Sequence, residues 1–250
     1  MAGHSKWAQI KRKKAANDAK RGKAFTKLIR EITVAAREGG GDVEANPRLR
    51  LAIDTAKAAN MPADNIDRAI ARGTGELEGS RYEEVTYEGY GPAGVALYIE
   101  TLTDNANRTV SELRYILDRN GGNLGQSGSV AWQFERKGQI LVDVGRYDED
   151  TLLLAALDAG AEDMRREDEV FVIITEPSAL HSVRQTLRDH RIDLEEAQLA
   201  MLPKATVAVE GEDARRLVRL LDLLDDADDV QRVHTNADIA DDALAEVGAS

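Results

Sequence analysis

The sequence contains no cysteine among its 250 residues. A disulfide framework, a cysteine-ligated zinc site and a thiol nucleophile are therefore excluded, and the composition fits a reducing compartment. Long apolar runs are also missing. No stretch approaches the roughly 20 apolar residues that span a bilayer, and the basic start lacks the apolar run of about 7 to 15 residues found in a secretory signal. We therefore expect a cytoplasmic protein that does not contact a membrane.

Residue patterns that carry catalytic or metal chemistry are scarce. The four histidines are scattered, and none forms an H-E-x-x-H pair. The acidic run at 222–230 offers Asp222, Asp225 and Asp226 as loose magnesium ligands, but hard cations need converging oxygen atoms, so a solvated helix end is the better interpretation. We expect no enzymatic activity, no metal, no cofactor and no small-molecule substrate.

The glycine-rich segment "GGNLGQSGS" at 121–129 superficially suggests a phosphate-binding loop, because backbone amides in such turns can hold anions. It lacks the Lys-Ser/Thr ending of a P-loop and leads into a predicted strand instead of a helix. We therefore interpret it as a helix terminator followed by a turn.

Charge is plentiful but unevenly distributed. Residues 1–75 contain 16 basic and 8 acidic residues, whereas the remaining 175 residues contain 17 basic and 37 acidic ones, within a net charge of -12. Phosphate backbones attract clustered cations and repel an acidic body, so any nucleic acid should bind at the front of the chain. The alternative is an ordinary solvated helix face. The basic block comprises Lys6, Lys11, Arg12, Lys13, Lys14, Lys20, Arg21, Lys23 and Lys27.

The front of the chain shows helical periodicity. Apolar residues recur at spacings of three and four from Ala24 to Arg37, which predicts an amphipathic helix. Asn46 and Pro47 supply a cap and a first-turn proline for a second helix, and Pro62 opens a short third helix. These helices predict a basic helical domain over residues 1–76.

Strands and helices alternate after the linker "GTGELEGSR". A strand at 95–103, a helix capped by Asp104 or Asn105, and a strand at 129–135 form one β-α-β unit. Six elements between 139 and 201 then follow the β-α-β-β-α-β order of a ferredoxin-like domain. The segment from 205 to 236 adds the strand, helix and strand that would complete the first unit.

The predicted fold class is an α+β multidomain protein, with an N-terminal helical domain followed by two ferredoxin-like α/β domains, one inserted in the other. The discontinuous α/β domain covers 82–137 plus 204–240, and the inserted domain covers 138–203. Three consecutive domains are the alternative, but each flanking half would then hold a two-stranded sheet of doubtful stability. The sequence gives no strong sign of oligomerisation, so we expect a monomer.

Several long motifs carry a family resemblance. They are "MAGHSKWAQIKRKKAANDAKRGKAFTKLIREIT", "NPRLRLAIDTAKAANMPADNIDRAIARGTG", "YEGYGPAGVALYIE" and "TDNANRTVSELRYILDRNGGNLGQSGSVAWQFERKG". Together they closely resemble the YebC/PmpR family, which includes the mitochondrial translational activator of cytochrome oxidase subunit I. The resemblance implies one helical and two α/β domains. It also implies either a DNA-binding transcriptional regulator or a ribosome-associated factor that binds ribosomal RNA and relieves stalling at difficult sequences such as proline runs.

The resemblance also implies functional residues. It supports the basic block and adds the loop Asn60-Met61-Pro62 and the motif Asn107-Arg108-Thr109, in which Arg108 would contact phosphate or pair with a nearby acid. The loop has an equally good interpretation as a break between helices. Ala63 stands where many relatives carry lysine, which weakens the loop as a phosphate contact. A metal-dependent nuclease is a third function, but the sequence lacks a converging set of carboxylates.

Overall fold

The computed structural model describes the backbone of residues 18–240 and the side chains from residue 22 onward. Within that range, three helices come first and two α/β units with antiparallel four-stranded sheets follow. This arrangement confirms the predicted fold class. None of the helices in the described range is long and apolar enough to cross a membrane.

The helical unit consists of α1 (Asp18–Gly39), α2 (Pro47–Ala58) and α3 (Ala63–Thr74). Asn46 caps α2 as predicted, because its side chain accepts a hydrogen bond from the backbone N–H of Leu49 and Pro47 occupies the first turn. The apolar stripes of the three helices meet in a core that includes Ile32, Leu49 and Ile53. The periodicity of this segment is therefore a reliable guide to its packing.

The first sheet has the strand order β3-β1-β2-β9, from β1 (Glu83–Tyr90), β2 (Ala96–Thr103), β3 (Asn123–Leu124) and β9 (Val230–Thr235). The helices α4 (Ala106–Arg119) and α7 (Gly211–Asp226) pack on it through a shared leucine-rich core. The side chain of Asn105 accepts a hydrogen bond from the N–H of Arg108 and caps α4. The short β8 (Val207–Val209) and β10 (Ala237–Ile239) form a separate parallel pair.

The second sheet has the order β5-β6-β4-β7 and lies in the chain between β3 and β8. It contains β4 (Phe134–Asp143), β5 (Asp163–Glu167), β6 (Val170–Thr175) and β7 (Glu196–Pro203). All its pairs are antiparallel, and α5 (Glu149–Asp158) and α6 (Leu180–Asp189) cover one face. This is the strand order of a ferredoxin-like unit. The three domain ranges stay a prediction, and β4 runs through the proposed boundary at 137.

One predicted strand is wrong. The sequence pattern predicts a strand over 129–135, but Ala131–Gln133 is a short 3-10 helix and β4 begins only at Phe134. The buried carboxylate of Glu88 on β1 accepts hydrogen bonds from the N–H groups of Val130 and Ala131, at 2.7 Å each. These tertiary bonds use the donors that a strand ladder would have needed.

Candidate nucleic-acid interface

Most of the predicted basic block cannot be placed. Lys6, Lys11, Arg12, Lys13 and Lys14 lie outside the described residues. Lys20 and Arg21 belong to the first turns of α1, and only their backbone is described. The role of these seven residues in binding stays a prediction. Lys23 and Lys27 are the members of the block whose side-chain contacts are described.

Lys23 and Lys27 contact the C-terminal end of α7. The ammonium group of Lys23 donates a hydrogen bond to the carbonyl oxygen of Asp226 at 3.0 Å, and that of Lys27 donates to the carbonyl of Asp225 at 2.5 Å. The last carbonyls of a helix carry partial negative charge and have no partner within the helix. These two lysines therefore dock α1 onto the acidic unit, and the run at 222–230 is a docking site instead of a freely solvated helix end.

Arg30 extends the same contact along α1. Its guanidinium donates to the carbonyls of Leu102 and Asp228 at 3.0 and 2.8 Å and to the carboxylate of Asp229 at 2.7 Å. It also lies over the ring of Tyr82, 5.1 Å from the ring centre. One side chain thus links the first helix to β2, to the linker before β1 and to the turn before β9.

Asp229 is the centre of this contact. Its buried carboxylate accepts hydrogen bonds from Arg30, from Arg108 and from the hydroxyls of Thr103 and Thr109, the last at 2.7 Å. Burial raises the pKa of the Asp229 carboxyl, but the hydrogen bonds from Arg108, Thr109 and Arg30 outweigh burial, so the pKa lies below its usual value. The group is therefore ionised and balanced by two guanidinium groups.

Arg108 lies where the resemblance implied, in the first turn of α4. Its guanidinium pairs with Asp104 at 2.8 Å and with Asp229 at 2.9 Å. Of the two interpretations given for this residue, the structure shows the pairing with nearby acids. Its side chain remains half exposed, and a phosphate contact by Arg108 stays a prediction.

The loop Asn60-Met61-Pro62 separates α2 from α3. Asn60 adopts a left-handed conformation with φ of 59°, and the N–H of Met61 donates to the carbonyl of Ala56 at 2.9 Å. These features cap the end of α2. The Met61 side chain is buried in the helical core, whereas Asn60 and Pro62 are exposed. Packing accounts for Met61, and a functional role of the exposed pair stays a prediction.

The end of the glycine-rich segment at 121–129 binds the side chain of Glu88. The Glu88 carboxylate accepts hydrogen bonds from the N–H of Gly128 at 2.6 Å as well as from those of Val130 and Ala131. Burial raises the pKa of Glu88, but these backbone bonds outweigh it, so the pKa is lowered. The Gly128 amide of this segment and the two amides just after it therefore bind an internal carboxylate.

Three arginines that sequence reasoning missed lie together. Arg37 on α1, Arg72 on α3 and Arg81 in the linker before β1 line one cleft. They are distant in the sequence, so no local spacing indicates that they meet.

The described part of the chain, residues 18–240, holds no group of three or more histidine, aspartate or glutamate side chains arranged to bind a metal ion. His181 and His190 lie on and just after α6, and His234 lies on β9. His181 contacts the guanidinium of Arg50 on α2 at 3.2 Å. These three histidines therefore occupy packing or surface positions in the described structure.

The sequence matches a family model described as the TACO1/YebC protein N-terminal domain over residues 5–76. It matches a second model, the TACO1/YebC second and third domain, over residues 82–237. Among relatives, a protein named "Probable transcriptional regulatory protein" from Acidithiobacillus ferrooxidans is 57% identical over 250 residues and covers 100% of both chains. One of the same name from Halothermothrix orenii is 56% identical over 250 residues, covering 99% of each chain.

A solved structure is also similar. The crystal structure of a conserved hypothetical protein from Aquifex aeolicus superposes with a TM-score of 0.83 at 50% sequence identity. The match covers 89% of this chain and 92% of that chain. At this identity the likeness extends to sequence as well as fold.

Proposed function

Because the chain belongs to the TACO1/YebC family, we propose that it is a non-enzymatic regulator of gene expression that acts by binding nucleic acid. Its relatives are named probable transcriptional regulatory proteins, so DNA-binding transcriptional regulation in the cytoplasm is the first form of the proposal. The protein acts as a monomer in this proposal, with nucleic acid as its partner and without a small-molecule substrate.

The observation that carries the proposal is the separation of charge along the chain. Nine basic residues and one acidic residue lie between Lys6 and Lys27, and the chain after residue 75 has 17 basic against 37 acidic residues. The described end of this block is fixed to the acidic unit by Lys23, Lys27 and Arg30. A polyanion bound by the block would therefore lie beside an acidic unit that repels it, so the protein would not coat nucleic acid indiscriminately.

A second form of the proposal is a translation factor that binds ribosomal RNA and relieves stalling at difficult sequences. The surface of α3 favours it. The exposed side chains Asp64, Asp67, Arg68 and Arg72 on that helix form a nearly neutral set, unlike a recognition helix that reads bases in the major groove of DNA. RNA can be recognised by shape and by phosphate contacts without such a helix.

Crosslinking in cells, followed by sequencing of the bound RNA and DNA, tests both forms. Discrete promoter peaks without ribosomal RNA support transcriptional regulation, and enriched ribosomal RNA without promoter peaks supports the translation factor. Recovery of neither nucleic acid overturns the proposal. Incubation of the purified protein with RNA or DNA and magnesium should yield no cleavage, and specific cleavage would contradict the non-enzymatic assignment.

A further inference from the structure

An open cleft of about 790 Å³ lies between the C-terminal parts of α1 and α3 and the linker that leads to β1. We call it the arginine cleft, after the three cationic side chains that line it, Arg37, Arg72 and Arg81. Its floor includes the buried Thr33 and Gly73, and its rim includes the linker residues 77–81.

The three arginines differ from the other cations near them. Arg48 pairs with Glu31, Glu38 and Glu84, and Arg30 pairs with Asp229. Among the side chains described from residue 22 to residue 240, by contrast, no carboxylate lies within ion-pair distance of Arg37, Arg72 or Arg81. Glu78 is the one acidic residue among the described residues that line the cleft, so the cleft carries a net positive charge.

Close helix packing builds the cleft. A Cβ atom at Gly73 would overlap the carbonyl oxygen of Thr33 and would lie 2.7 Å from the Cβ of Ala36 and 3.1 Å from the backbone nitrogen of Arg37. The backbones of α1 and α3 therefore touch at this glycine. The contact places Arg72, the residue before Gly73, beside Arg37 on the neighbouring helix.

The linker is held in place over the same point. Gly75 ends α3 in a left-handed conformation, and the N–H groups of Glu76 and Leu77 turn back to the carbonyl of Ala71. A Cβ atom at Gly79 would lie 3.2 Å from Cδ of Arg72, so the linker rests on the aliphatic stem of that arginine. These contacts hold the linker that carries Arg81 against the end of α3.

The chemistry of the cleft suits phosphate. A guanidinium presents a planar fork of donors that matches two phosphate oxygens, and arginine is preferred for this recognition over lysine. The cleft is open to solvent, unlike an enclosed site for a free small anion. Three cations without carboxylate partners favour a ligand with repeated negative charge.

We propose that the arginine cleft is a phosphodiester-binding site, in which Arg37, Arg72 and Arg81 contact successive backbone phosphates of a bound nucleic acid. This inference rests on the proposed function and assigns part of the binding to residues outside the basic block. The cleft gives position and orientation without reading bases, because backbone contacts carry no sequence information.

The test uses the full chain with three arginines replaced, Arg37→Ala, Arg72→Ala and Arg81→Ala. The probes are a fluorescein-labelled duplex DNA and a single-stranded RNA of the same length, and affinity is measured across a range of salt concentrations. Each lost phosphate contact lowers the slope of log affinity against log salt by about 0.9 for duplex DNA and about 0.7 for single strands. We expect the slope to fall by about 2 to 3 and the affinity near physiological salt to fall roughly tenfold or more.

The matched control replaces three exposed arginines of the α/β units, Arg114→Ala, Arg136→Ala and Arg219→Ala, which changes the net charge equally. It should keep the affinity and slope of the unchanged protein within twofold. A third variant with lysine at 37, 72 and 81 should recover most of the slope, because it restores the charge. Circular dichroism and the thermal midpoint confirm that each variant is folded.

The outcomes separate this inference from the proposed function. If the unchanged protein binds and the cleft variant binds equally well with the same slope, the inference that the arginine cleft binds phosphates is overturned, while the proposed function stands. The same inference is overturned if the control variant loses as much affinity as the cleft variant. If the unchanged protein binds neither probe, the proposed function fails and the inference fails with it.

Discussion

The guanidinium of Arg30 on the first helix lies 2.7 Å from the carboxylate of Asp229, which precedes the last strand of the first sheet. Both side chains are largely buried, and Arg108 shares the same carboxylate. A buried ion pair is costly to break, because the remaining partner keeps its charge without its solvent or its counterion. This contact therefore contributes strongly to holding the helical unit against the α/β body, beside the contacts of Lys23 and Lys27.

Replacing Asp229→Asn should destabilise the protein strongly. The change preserves the size of the side chain but removes the charge that balances Arg30, and losing one member of a buried pair costs about 3 to 5 kcal/mol. The free energy of unfolding in urea measures the loss. The adjacent Asp228→Asn is the matched control, because the Asp228 side chain is exposed and only its carbonyl contacts Arg30. Equal stability of the two variants would contradict the assigned role of Asp229.

Glu100 on β2 should make the protein sensitive to acid. Burial raises the pKa of Glu100, but the nearby His234 imidazole, 3.7 Å away, and the hydrogen-bonded Arg232 guanidinium outweigh it and lower the pKa from 4.5 to about 2. A carboxyl with a lowered pKa contributes stability above its unfolded value, and this stability is lost as the pH falls from about 4.5 to about 2. Urea unfolding of the unchanged protein and of Glu100→Gln over this range should show a shallower pH dependence for the variant. Parallel curves would show that Glu100 does not contribute.

The close approach of α1 and α3 predicts a penalty for Gly73→Ala. The added methyl group would overlap the Thr33 carbonyl oxygen, and overpacking of this kind costs about 1 to 3 kcal/mol. Gly22→Ala on α1 is the control, because no atom lies within 4 Å of the added methyl group there. Alanine is the better helix former, so the control should keep or gain stability. A Gly73→Ala protein as stable as the control would mean that the helices separate without cost.

The turn at 128–131 depends on Glu88. In Glu88→Ala, the N–H groups of Gly128, Val130 and Ala131 lose their acceptor. Val130 is buried, and an unsatisfied buried donor costs about 1 to 3 kcal/mol. We expect these amides to exchange their hydrogens much faster in the variant and the whole protein to lose about 2 kcal/mol or more. Hydrogen exchange resolved at these positions is the direct measurement. The exposed Glu112→Ala should leave their exchange unchanged, and slow exchange in Glu88→Ala would disprove the role of the carboxylate.

The basic block should carry a separate part of the binding. Replacing Lys11, Arg12, Lys13 and Lys14 with alanine should weaken binding to duplex DNA and to RNA and flatten its salt dependence, because up to four phosphate contacts are lost. Fluorescence anisotropy at several salt concentrations measures both effects. The control replaces four exposed arginines, Arg114, Arg136, Arg188 and Arg219. Unchanged affinity and slope in the block variant would remove the block from the mechanism.

Local patterns predict most helices well and fail where a distant residue intervenes. The caps Asn46 and Asn105 act as predicted, because capping depends on residues within one turn of each other. Residues 129–135 alternate in the manner of a strand. However, the carboxylate of Glu88 on β1 accepts hydrogen bonds from three backbone N–H groups at 128–131, and these bonds hold the chain in a turn. Strand β1 was not predicted at all, although its eight residues pair along the full length of β2.

The same distinction applies to the charged residues. The excess of positive charge at the front and of negative charge behind it follows from the sequence alone, as do the helical faces and the absence of cysteine. The tertiary structure decides which of these cations are neutralised. Lys23, Lys27 and Arg30 contact the acidic residues at 225–229. Arg37, Arg72 and Arg81 instead line a cleft and have no carboxylate partner among the described side chains. The reason is physical. Ion pairing requires contact within a few ångströms, and Arg30 meets a carboxylate 199 positions away, a separation over which sequence spacing carries no information about distance.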